Sequence, residues 1–168
     1  MGMTPQNYFT LFVEENFNDF LNNPTCLRRA FNSVVSTAHM ADNYFNYYEI
    51  RDASKINNCN NFTDFKIHLA SQLQYFNDIQ SIANVYKHLY QGHRTQNSWV
   101  TVESGGAVFI TENEVRILMD GEFAGSDSLD DFALMPIQHI VYHNINTNTE
   151  IPLVDALTEV VKFWKNTV

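Results

Sequence analysis

Apolar residues in the first half of the chain recur at three- and four-residue intervals, the spacing of one face of a helix. Thr4-Pro5 supplies a start, since a Thr hydroxyl caps a first turn and Pro has no N–H to leave unpaired there. Phe9, Phe12, Val13, Phe17, Phe20 and Leu21 then draw one stripe, which Asn22-Asn23-Pro24 ends. The same Asn-Pro pair opens a long second helix with its apolar face on Leu27, Phe31, Val34, Ala38, Ala41, Phe45 and Tyr48, a bundle-like spacing. The pattern fails between about Arg51 and Asn61, where Asn57-Asn58-Cys59-Asn60-Asn61 reads as a loop because Asn favours turns. Phe65, Leu69 and Leu73 mark a short third helix. Asn77 or Asp78 is placed to cap a fourth, whose core face is Ile79, Ile82, Tyr86 and Leu89, and Gly92 is a natural stop.

Beyond Gly92 the period shortens. Trp99-Val100-Thr101-Val102-Glu103, Ala107-Val108-Phe109-Ile110-Thr111, Val115-Arg116-Ile117-Leu118-Met119 and Ile137-Gln138-His139-Ile140-Val141-Tyr142-His143 are strand-like, with Ser104-Gly105-Gly106 as the expected hairpin turn. A closing helix from about Pro152 carries Leu153, Leu157, Val160 and Trp164 on one face. The expected fold is α+β and mainly α. It is one domain with a helical bundle over 1–92, a small antiparallel sheet inserted over 93–145, and a C-terminal helix over 150–168 packing back.

Composition agrees with a single core, since 45% of the 168 residues are hydrophobic. No apolar run nears the roughly 20 residues that cross a bilayer, and Met1-Gly2-Met3-Thr4-Pro5 lacks the layout of a signal peptide. A cytoplasmic protein is therefore expected. The Met1-Gly2 start resembles a myristoylation site only superficially, because Gln6 stands where Ser or Thr is wanted. Cys26 and Cys59 are too few for a zinc site or a disulfide framework, so reduced structural thiols are expected. The sequon Asn61-Phe62-Thr63 then reads as a helix cap.

A formal charge of −9 opposes the broad positive field that phosphate neutralisation requires. Positive residues bunch only at Arg28-Arg29 and from Lys87-His88 to His93-Arg94, leaving room for a local site for RNA or a nucleotide. A solvated helix face and charges near a helix C-terminus explain the same bunching. The acidic loop Ser126-Asp127-Ser128-Leu129-Asp130-Asp131 reads as a solvated loop rather than a cation site.

There is no phosphate loop, dinucleotide fingerprint or nucleophile elbow, and no cofactor is called for. His39 and Asp42 share a side of the long helix, as Asn84 and His88 share one on the fourth. Asn84 and His88 point nearly opposite to the Ile79, Ile82, Tyr86 and Leu89 stripe, bordered by Lys87 and Gln91. That side is either a plain solvated face or a functional or subunit-contact face. His39, Asp42 and His88 as metal ligands in a bundle form a competing enzyme reading, but they lack the Glu-x-x-His pairs of di-iron bundles.

The stretch Asp78-Ile79-Gln80-Ser81-Ile82-Ala83-Asn84-Val85-Tyr86-Lys87-His88-Leu89, with Ala38-His39-Met40-Ala41-Asp42-Asn43-Tyr44-Phe45 before it, resembles the HEPN superfamily over roughly the first 92 residues. These helical bundles are common in prokaryotic toxin, phage-defence and nucleotide-handling systems. In the active members an Arg, often followed by Asn, precedes a His, and two such motifs meet across a dimer to cut RNA without metal. The resemblance puts Asn84 and His88 at the Asn and His, but Ala83 at the Arg. An Arg there would stabilise charge on the phosphate while His acts as acid or base. Arg94, or Arg28 of the partner subunit, would have to substitute. The resemblance, with that Arg missing, implies a non-catalytic binding or scaffolding homodimer using His88, Asn84, His39, Asp42, Lys87 and Arg94. The alternative is a ribonuclease using His88.

Overall fold

The computed structural model describes residues 3–88, the strand segments 94–95, 98–99, 108–109, 117–119 and 138–144, Thr147, and residues 149–168. The described part is mainly helical with small antiparallel sheets and a C-terminal helix, an α+β architecture as the hydrophobic pattern predicts.

The N-terminal helix is one rod in three parts: α1 (Pro5–Tyr8), a π-helical segment (Phe9–Glu14) and α2 (Glu15–Leu21). Thr4 starts it, its Oγ1 accepting the backbone N–H of Asn7 at 3.2 Å. Each π turn holds an extra residue and rotates the sequence out of the 3.6 period. Phe9, Val13 and Phe20 are accordingly buried, but Phe12 is 42% and Leu21 45% exposed, against the single stripe expected.

The long helix α3 (Leu27–Tyr48) runs through the middle of the molecule. Phe31, Val34, Ala38, Ala41 and Phe45 are buried as predicted, and so are Ala30, Ser33, Ser36, Thr37, Met40 and Tyr44 on the other sides. The two ends of the predicted face differ, Leu27 being 39% exposed beside the turn from α2 and Tyr48 half-buried. Small side chains at Ala30, Ser33, Thr37 and Ala41 let neighbours approach closely, which is why this helix is covered on more than one face.

A 3-10 turn (Ala53–Ile56) and the Asn-rich loop follow, with Asn57 and Asn58 at φ 55° and 53°. Asn tolerates this left-handed region better than most residues, so the predicted loop has a conformational reason. Asn61 caps α4 (Phe62–Gln72), accepting the N–H of Asp64 at 2.9 Å, which is the structural role expected of the sequon. Phe62 and Phe65 of α4 pack on Phe45, with ring centroids 5.6 and 5.7 Å away.

Helix α5 (Phe76–His88) starts one residue before Asn77, so neither Asn77 nor Asp78 is its cap. Glu159 of the last helix supplies that function from across the chain, accepting the N–H groups of Gln74 and Tyr75 at 3.1 and 2.9 Å. An intra-helical cap is the only kind that local sequence can announce.

Strands β1 (Arg94–Thr95) and β2 (Ser98–Trp99) pair antiparallel. Strand β5 (Gln138–Asn144) takes β3 (Val108–Phe109), β4 (Ile117–Met119) and β6 (Thr149–Pro152) as antiparallel partners. The Ser104-Gly105-Gly106 turn and the acidic loop lie outside the described residues. Strand β6 is not expected from the sequence, which assigns residues from 150 onward to the C-terminal helix, because Thr149-Glu150-Ile151-Pro152 is too short to show a period; the helix begins only at Leu153. The segment is a strand because β5 offers it a partner, with Val141 opposite Pro152 and Asn144 opposite Thr149. Helix α6 (Leu153–Thr167) buries Leu153, Ala156, Leu157, Val160, Val161 and Trp164. Trp164 reaches Tyr44 of α3 at a ring-centroid distance of 5.3 Å, so the C-terminal helix packs back as expected.

Candidate functional site

Helical spacing divides α3 into a buried arc and a less buried stripe. Arg28, Asn32 and Asn46 on that stripe are exposed, and Val35, His39 and Asp42 are half-buried. The N-terminal helix lies along one side of it, antiparallel to α3. Asn43 Nδ2 donates to Met3 O at 3.5 Å, Tyr8 Oη to Ser36 O at 3.4 Å, and Arg29 Nη1 to Asp19 O at 3.1 Å. Helix α5 borders the other side, where Gln80 Nε2 donates to Ala38 O at 2.9 Å. His39 and Asp42 therefore occupy a seam between two flanking helices.

Tyr8 joins this site although nothing in its sequence context marks it. Burial raises its phenol above the ordinary value, and the nearby Asp42 carboxylate raises it further. Tyr8 thus stays a neutral donor, to Ser36 O and near the Asp42 carboxylate. Its ring lies 5.3 Å from that of Phe12, which brings the partly exposed Phe12 to the same border.

On α5, Ile79 and Ile82 are buried and Asn84 is exposed, as their opposed positions predict. Asn84 lies one turn beyond Gln80, which sets its helix against the turn of α3 carrying His39. Ala83 is 2% exposed and belongs to the core. The side chains of Lys87, His88 and Arg94 lie outside the described residues, as does the expected Tyr86 and Leu89 packing. The metal reading needs His88 together with His39 and Asp42. Among the described residues no three His, Cys, Asp or Glu come together to hold an ion.

A second polar cluster escaped the sequence reading. Asp78 is 5% exposed. Its Oδ2 accepts from Tyr142 Oη at 2.7 Å and its Oδ1 from Asn144 Nδ2 at 3.0 Å, tying α5 to β5. Burial drives the Tyr142 phenol far above its ordinary value, and the hydrogen bond to Asp78 adds to the rise. A buried carboxylate with donors on both oxygens is a satisfied structural group. The only hint in the sequence was an acid at the start of a helix, which the helix dipole explains equally well.

His68 also gains partners that were not foreseen. Its Nδ1 is 3.3 Å from Asn57 Nδ2 and its Nε2 is 3.0 Å from Gln72 Nε2. It ties the loop to α4. Cys26 and Cys59 are unbridged and half-buried. Desolvation, with a contribution from Asp64, pushes the Cys59 thiol up, away from the thiolate that a nucleophile needs.

Among the described residues no helix is long and apolar enough to cross a membrane. Comparison of the chain with family models, with curated proteins and with solved structures gives no match.

Proposed function

We propose that this chain is a non-catalytic binding or scaffolding protein that works as a homodimer, built on a HEPN-like bundle. The observation that carries this reading is the burial of Ala83. In the arrangement the resemblance describes, the residue before Asn84 would place a cation at the reacting phosphate. Here that position faces the core at 2% exposure, where an unpaired guanidinium would be costly to bury. The neighbouring Asn84 is exposed and remains able to hydrogen-bond a partner or a local RNA or nucleotide ligand. A link to phage defence or RNA handling is the setting this reading carries.

RNA cleavage by the wild-type chain beside His88→Ala, with and without a chelator, tests the non-catalytic half, and sedimentation tests the dimer. The expected result is a dimer that leaves RNA intact. Cleavage abolished by His88→Ala would replace this reading with a metal-independent ribonuclease, and cleavage abolished by the chelator would replace it with a metal enzyme.

A further inference from the structure

The exposed apolar side chains of the bundle are not scattered evenly. Phe12 is 42% exposed and its sequence neighbour Leu11 58%, both turned outward by the π-helical segment. The antiparallel contacts Met3–Asn43, Tyr8–Ser36 and Asp19–Arg29 bracket Phe12 and set it level with the Asn32–Ser36 part of α3. Half-buried Val35 lies on the stripe at this level. An apolar centre thus straddles the seam between the two helices.

Charge is arranged symmetrically about that centre. Arg28, Val35 and Asp42 follow one another at intervals of about two helical turns, or about 10 Å, so a cation and an anion stand at equal distances on either side of Val35. Neither Arg28 nor Asp42 forms an ion pair among the described residues. A two-fold axis perpendicular to α3 at Val35 brings each Arg28 opposite an Asp42, because an isologous interface pairs every position with its mirror position along the helix. Reversing a helix with unlike charges at its two ends makes it complementary to itself. A partner of different sequence would require no such symmetry.

We propose that a second copy of this chain docks antiparallel on this face, Phe12 and Val35 packing about the axis and Arg28 meeting Asp42 of the partner subunit at both ends. This rests on the homodimer reading above and moves its interface from the Asn84/His88 side to the α3 stripe. The seam containing His39 and Tyr8 is then closed by the partner copy. Two Arg–carboxylate contacts at the rim set register and orientation, and the aromatic centre supplies most of the affinity.

Sedimentation equilibrium on the full chain tests it, with far-UV circular dichroism confirming that each variant is folded. Arg28→Asp alone and Asp42→Arg alone each create two like-charge contacts and are expected to weaken the dimer at least about tenfold. The double variant Arg28→Asp/Asp42→Arg is expected to restore association to near the wild-type value. Phe12→Asp, at an exposed position, is expected to yield monomer whatever the folding outcome at Asp42. A wild-type dimer unaffected by Arg28→Asp and Phe12→Asp would overturn this interface but leave the homodimer standing. Weakening by both charge variants without rescue in the double variant would overturn the pairing. A wild-type chain that is monomeric throughout would overturn the homodimer itself.

Discussion

Asp78, Tyr142 and Asn144 illustrate how single residues acquire roles that their neighbours in sequence do not announce. The carboxylate and the phenol lie 64 positions apart and meet at 2.7 Å, where water is excluded. Tyr142→Phe keeps the ring but removes a donor to a buried carboxylate, and is expected to cost about 1–3 kcal/mol in urea unfolding at neutral pH. The phenols also give the chain an alkaline liability. Tyr8, Tyr44 and Tyr142 all ionise above the ordinary phenol value of 10.0 when folded, and Tyr44 is pushed up to about 12, chiefly by burial. Between the unfolded and folded values the unfolded chain holds fewer protons than the native one, so stability falls as pH rises. The urea midpoint is therefore expected to drop between about pH 10 and about pH 12, and to drop less in Tyr142→Phe. An unchanged midpoint across that window would contradict the burial of these phenols.

At the scale of elements, the π-helical segment decides which aromatic side chains enter the core. Six phased apolar residues describe a single stripe only if every turn is α-helical, yet Phe9 is 2% and Phe12 42% exposed. Phe9→Ala is accordingly expected to cost about 3–5 kcal/mol, whereas Phe12→Ala is expected to cost less than about 1 kcal/mol to the monomer. Chemical denaturation at low protein concentration separates this from any loss of dimer. Equal costs at both positions would mean a regular helix. The start of α5 makes a similar point, because Glu159 closes a helix end that its own sequence leaves open. Strand β6 likewise forms because β5 is there to pair with it.

For the whole molecule, α3 is the post around which the remaining helices pack, and α6 completes the core. Trp164, Val160 and Leu157 are fully buried, and Lys165 bonds Glu14 of the N-terminal helix at 2.8 Å. The described helices of the bundle therefore share one core with α6. A chain truncated after Pro152 is expected to lose its cooperative thermal transition, measured by circular dichroism, since it would expose the faces of α3 and α5 that α6 covers. A sharp transition in the truncated chain would instead show that the bundle folds alone. The amino-acid sequence by itself determined the mainly helical α+β class, the long helix, the loop after it, the long strand β5 and the inward face of α6, because those follow from local periodicity and turn chemistry. It also separated Asn84 from the core face of its helix. Only the tertiary structure decided that Phe12 faces outward, that Ala83 is core, that Asp78 is a buried tie rather than a cap, and that Tyr8 lies near Asp42. Each of these depends on which distant segment lies opposite, and the spacing of residues along one segment carries no record of its neighbour across space.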